Sequence, residues 1–231
     1  MRFENLFFYL ASVIVIGSAF FLDKKILMWI KPIVPIALGV IYILRAKRKS
    51  MLYPVSLVFI TLTDLMVYND FLAYFDYIAI SLTIFYVLCA LLLKNYINWS
   101  QVEWKRIFRL PFFISALLIG YLLYALTLLT WEKVADSLGF LIVVFVGLLV
   151  LVFCCFYIFI RDLYKGSVYA FIAGCSSLVI DALVGINELS FSHPVITGMA
   201  NIAEIIGLYC FLKFLLDAAP YEENRKIVNY F

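Results

Sequence analysis

Charge is scarce in this sequence. Only 14% of its 231 residues are Asp, Glu, Lys or Arg while 66% are hydrophobic, more apolar surface than one water-soluble core of that length buries. A soluble globular domain is excluded, and a polytopic membrane protein is implied. Histidine is scarcer still: the single one, His193, precedes Pro194 in a loop and reads as a solvated side chain. The five cysteines (Cys89, Cys154, Cys155, Cys175, Cys210) are odd in number, lie inside apolar runs and lack zinc-ligand spacing. They read as small packing residues, neither disulfides nor metal ligands. The net charge of +3 gives no reason to invoke nucleic acid, and no obligate protein partner is evident.

What the chain has instead is hydrophobic runs, each about as long as the ~20 residues that cross a ~30 Å hydrocarbon layer, separated by short polar hinges. Eight are expected, near 5–22, 26–44, 52–69, 71–93, 108–130, 137–160, 167–186 and 194–216, forming one all-α integral membrane domain over 1–231. A cleaved signal peptide is the rival reading of 1–22, but the run exceeds the ~7–15 residues of a signal core. Thirteen Lys and Arg fall on the side of the N-terminus, among them Arg45, Lys47, Arg48, Lys49, Lys94 and Arg161, against Lys24, Lys25 and Lys133 opposite. The positive-inside rule then puts both termini in the cytoplasm, in the cell membrane. The link 94–108 is amphipathic, with Trp99, Trp104, Lys105 and Arg106, and is expected to lie along the interface.

A few ionisable groups interrupt the apolar runs. An Asp at the centre of a spanning helix costs about 2.5–3.5 kcal/mol, so such a residue normally faces a bundle interior and has a partner. Asp64 lies in such a run, on a stripe with Thr61 and Tyr68. Asp181 follows Gly174 and Ser177 at helical spacing, and Glu204 follows Thr197 and Asn201, near mid-membrane. Lys31 precedes Pro32, with Pro35 one turn on, and the two prolines should bend that helix. Its ammonium either faces inward or snorkels to the headgroups. Asp76, with Thr83 and Tyr86 on its face, either joins the polar interior or sits in water at a helix start.

Counted along their runs, Lys31, Asp64 and Asp181 reach one depth, about 7 Å below the boundary opposite the N-terminus, and Glu204 lies deeper. A shared polar chamber explains that agreement, and so does a structural ion pair such as Lys31 with Asp64. Two carboxylates beside one cation need not share a protonation state, which pairs an acid with a base or charge stabiliser.

These residues carry a resemblance. The Lys31-Pro32 pair, the Asp64 helix with its tight hairpin, the Gly174–Asp181 segment and the Ala203-Glu204 step, in this order, resemble the YhhN-like lysoplasmalogenase family over about 26–216. Thr63 stands where the family has Gly, Ile180 where it has Ser, Glu204 where it has Gln, and Tyr86 where a His is common. The resemblance implies hydrolysis of the vinyl ether of lysoplasmalogens to a fatty aldehyde and a glycerophospho-alcohol, with a lysophospholipid as substrate. It implies Asp64 and Asp181 as catalytic acid and charge stabiliser in unassigned order. Lys31 would bind the phosphate, and Glu204 the ammonium headgroup or a water, with Asn201 and Tyr86 beside the substrate. The logic parallels the two-carboxylate glycosidases, and this chemistry requires no metal or cofactor.

Other readings stand beside it. A non-catalytic lipid-binding or structural protein of the same fold accommodates the departures at Thr63, Ile180, Glu204 and Tyr86. A proton-coupled transporter would use intramembrane acids, although no internal repeat or pair of broken segments is visible. A seven-helix photoreceptor would need Lys213 as retinal base, and Lys213 lies near the end of its helix.

Overall fold

The computed structural model describes residues 3–47, 49–97, 119–121, 124, 127, 128, 133, 135–190 and 192–218. The expected span 108–130, the link beyond residue 97 and the tail beyond residue 218 lie outside these, apart from a few isolated positions. Among the described residues the chain is all-helical, with no strand. The helices are α1 (Phe3–Phe21), α2 (Lys24–Ile30), α3 (Ile33–Arg45), α4 (Leu52–Asp70), α5 (Phe75–Lys94), α6 (Leu138–Arg161), α7 (Ser167–Leu189) and α8 (Pro194–Asp217). With α2 and α3 taken as one interrupted segment, seven stretches are long and apolar enough to cross a membrane. That is the makeup of a multi-pass membrane protein.

Local chemistry explains the breaks. Pro32 cannot donate to the carbonyl of Met28, nor Pro35 to that of Lys31, so the α-helical ladder stops. Val34 N–H takes the Lys31 carbonyl at 3.2 Å instead, and the helix divides into α2 and α3 at the residue that bears the ammonium. Between α4 and α5, residues 71–74 form a tight turn, with Asp70 Oδ1 accepting from Ala73 N–H at 3.0 Å. Asp76 is therefore the second residue of α5, not five residues into a span. Between α6 and α7, Asp162 (φ 43) and Gly166 (φ 82) reverse the chain in the left-handed region, open to Gly and tolerated by Asp.

The helices form a closed ring: α1 meets α2 and α3, these meet α4, then α5, α6, α7 and α8 follow, and α8 returns to α1 and α3. Because the turn 71–74 lies at one end and Arg45, Lys94 and Arg161 at the other, the two ends are the hairpin end and the basic end. Helix α8 is held on several sides, with Leu212 and Phe214 at 1% and 0% exposure. Small residues let it approach closely: a Cβ on Gly207 would stand 2.8 Å from Ser176 Cβ of α7, and one on Gly174 of α7 would stand 2.9 Å from Cys155 Cβ of α6. Close backbone approach through small residues is how helices associate where no hydrophobic force separates them from lipid.

Candidate functional site

The centre of the site is Lys31. The proline break leaves it at the junction of α2 and α3, 7% exposed, with its side chain pointing into the ring. Its Nζ stands 2.6 Å from Asp64 Oδ1 of α4 and 2.6 Å from Glu204 Oε2 of α8, and 5.0 Å from the centroid of the Tyr68 ring. Asp64 and Glu204 are themselves buried. Both carboxylates touch one nitrogen, so they are near neighbours, and the ammonium offsets their repulsion. The polar stripe continues from Tyr68, whose hydroxyl accepts from Asn201 Nδ2 at 2.8 Å. Asn201 also donates to the Thr197 carbonyl at 2.8 Å. Two enclosed acceptors, Asp64 Oδ2 and Asn201 Oδ1, meet no donor among the described residues. An unmet buried acceptor costs about 1–3 kcal/mol.

Asp181 stands apart from this cluster. No cation reaches it among the described residues; the Tyr86 hydroxyl of α5 donates to its Oδ1 at 2.7 Å and its Oδ2 at 2.8 Å. Helix α7 continues through Asn187 and Glu188 to Leu189, three residues past the expected end, so Asp181 lies eight residues from that end, against six for Asp64 from the end of α4 at Asp70 and seven for Lys31 from the start of α2 at Lys24, levels that differ by less than one helical turn. The extension is held by its own contacts. Glu188 pairs with Lys24 of α2 at 2.7 Å, and Asn187 Oδ1 accepts from His193 N–H at 3.1 Å. Lys133 donates to the Leu189 carbonyl. Meanwhile the long side chain of Lys31 reaches Glu204, although Glu204 is placed deeper along its own helix.

Two cavities border these acids. The larger, of about 110 Å³, runs toward the hairpin end between α4, α5, α6 and α7; its polar wall is Lys31, Thr63, Asp64, Tyr68, Asp181 and Glu204, and the rest is mostly apolar, including Phe71, Phe75, Leu141 and Val184. The smaller, of about 40 Å³, lies toward the basic end and is bordered by Tyr86, Asp181 and Glu204 on one side and by Phe85, Leu151 and Phe211 beyond. Asp181 is partly exposed and borders both cavities. A group in the larger cavity thus meets an ion-paired carboxylate and a carboxyl whose partner among the described residues is a phenol hydroxyl.

The expected residues Lys31, Asp64, Glu204 and Asn201 are brought together, and Asp181 and Tyr86 form a second pair, of which Asp181 lines the same larger cavity and Tyr86 the smaller one. Tyr68 completes the link between Asn201 and Lys31. Its signal was present as the i+4 neighbour of Asp64, but only packing shows that its ring lies against the ammonium. Among the described residues no group of three or more His, Cys, Asp or Glu side chains is placed to hold a metal ion. No family model matches the sequence, and no curated protein or solved structure matches it.

Proposed function

We propose that this chain is an eight-span hydrolase of the cell membrane that cleaves the vinyl ether of lysoplasmalogen-type lysophospholipids, with both termini cytoplasmic. The eighth span is inferred from direction. Helices α5 and α6 run side by side in parallel, with Phe75 near Leu141 and Tyr86 near Gly147. The chain between them has to return to the hairpin end, and 108–130 is the apolar run available for it.

One observation carries the chemistry: two carboxyl groups face one cavity in unlike company. Asp64, held by Lys31, is the charge stabiliser. Asp181, bonded only to Tyr86, is the acid. Asp181 transfers its proton to the β-carbon of the vinyl ether, and the C=C electron pair forms the new C–H bond. Asp64 stabilises the resulting oxocarbenium ion. Water adds to the oxygen-bearing α-carbon of that ion and gives a proton to Asp181, and the resulting hemiacetal collapses: its C–O bond to glycerol breaks, its hydroxyl proton passes to the departing glycerol oxygen, and a fatty aldehyde and the free glycerol hydroxyl remain. In this reading Lys31, already occupied by two carboxylates, holds Asp64 in place, and the substrate phosphate stays at the membrane interface. Glu204 and Asn201 brace Lys31 and Tyr68, and Tyr86 aims Asp181.

Aldehyde release from lysoplasmenyl-ethanolamine by the purified protein in detergent tests the proposal. Asp181→Asn is expected to reduce release by about 10²–10⁴-fold, the usual contribution of a general acid. An ordinary acyl lysophospholipid is expected to release none. Full activity in the variant would sink the assignment. A second reading, a non-catalytic lipid-binding protein of the same fold, draws on the saturation of Lys31: a cation held by two acids also serves as a structural clamp. Absence of release from a folded protein would favour it.

A further inference from the structure

The two cavities adjoin and share part of their lining. Ile60, Leu82, Ile180, Asp181 and Glu204 line both, and aliphatic rotamers in that shared lining move readily compared with a helix. Beyond it, toward the basic end, the smaller cavity offers almost nothing to a polar guest. Ser177 Oγ is directed to the Ala173 carbonyl at 3.1 Å, and the Tyr86 hydroxyl to Asp181. Cys89 and Cys155 are buried thiols, which behave as small hydrophobes. The remaining wall is Phe85, Leu151, Leu208 and Phe211. A buried water needs two to four polar partners, and apolar cavities stay dry. The end wall at Phe211 lies seven residues past Glu204 on α8, roughly 10 Å further along the axis.

We propose that the smaller cavity is a chain pocket: the alkyl chain of a single-chain lipid enters from the hairpin end, passes Asp181 and ends against Phe211, so that this pocket sets chain length. The position of the reacting bond rests on the hydrolase reading. The chain pocket itself rests on the apolar lining and on its continuity with the larger cavity.

The test measures binding, not turnover. Saturated alkyl ether lysophospholipids of graded chain length, which contain no vinyl ether, compete against a fluorescent single-chain lipid on the full-length protein in nanodiscs. Affinity is expected to rise with chain length and then level off. Ser177→Leu, which fills the smaller cavity, is expected to move the plateau to a shorter chain and to weaken the longest ligands by about tenfold, the equivalent of two methylenes left unburied. Ser177→Ala is expected to keep the wild-type profile. Where Ser177→Leu does not fold, Leu208→Phe fills the same space from α8. A wild type without chain-length dependence, or a folded filled variant with the wild-type profile, overturns the proposal. Aldehyde release separates it from the hydrolase reading. Graded binding without release sinks the hydrolase alone, and release with an unmoved chain profile in Ser177→Leu sinks the chain pocket alone.

Discussion

Lys31 decides the energetics of the interior because it is the cation that Asp64 and Glu204 share. Removing one partner of a buried ion pair costs about 3–5 kcal/mol, whereas replacing the whole set with uncharged groups is often close to neutral. Lys31→Met is therefore expected to destabilise the protein by about that amount in a detergent unfolding titration. Adding Asp64→Asn and Glu204→Gln to it is expected to restore most of the loss. A Lys31→Met protein as stable as the wild type would show that the two acids do not depend on the ammonium. At this scale the sequence was informative about identity and about one partner, since it offered Lys31 with Asp64 as an ion pair and the two stand 2.6 Å apart. It did not show that Glu204 shares the ammonium. Lys31, Asp64, Asp181 and Glu204 stand out because charge is costly in an apolar helix, but which acid takes the cation depends on side-chain reach and helix rotation. Neither has a signature in residue spacing.

Helix α7 shows what positions Asp181 against Tyr86. It is clamped at neighbouring levels, with Gly174 against Cys155 on one side and Ser176 against Gly207 on the other, and Asp181 follows about one to two turns along. A methyl group at either glycine must push helices apart. Gly207→Ala is expected to cost about 1–3 kcal/mol, as overpacking does, and to lower turnover by displacing Asp181 relative to Tyr86. Gly39→Ala is the contrast, since its Cβ would meet only Leu57 Cδ1 at 3.6 Å. It is expected to be neutral or to stabilise by up to about 1 kcal/mol through helix propensity. Thermal unfolding of the two variants in detergent checks both, and equal behaviour would refute the close-packing account. Most helix ends followed the apolar runs to within a few residues. The exceptions, the start of α5 and the end of α7, are set by Asp70 capping a turn and by Glu188 meeting Lys24, contacts that no hydropathy window registers.

For the molecule as a whole, the distribution of basic residues gives the orientation a direct test. Arg45, Lys47, Lys49, Lys94, Arg161 and Lys165 gather at one end, and Lys24, Lys25 and Lys133 at the other. Single cysteines placed at Lys47 and at Ala73 are expected to respond oppositely to a membrane-impermeant thiol reagent on intact cells. Ala73→Cys should label from outside and Lys47→Cys only after permeabilisation. The reverse pattern would invert the topology. The native cysteines all lie inside helices, four of them buried, which keeps the background low.

Composition and pattern alone determined the solvent of this protein and the manner of its folding. An apolar fraction this large in runs of bilayer length leaves backbone polar groups no satisfactory state but helices. Isolated charges within those runs mark the interior for the same reason. What only the tertiary structure decided is the company those charges keep. Ring closure between α8 and α1, the break at Pro32 and the close approach through Gly174 and Gly207 join Lys31 to Asp64 and Glu204 and leave Asp181 to Tyr86. The physical reason is range: insertion cost is a property of one helix in lipid, whereas an ion pair at 2.6 Å is a property of three helices and exists only once all of them are packed.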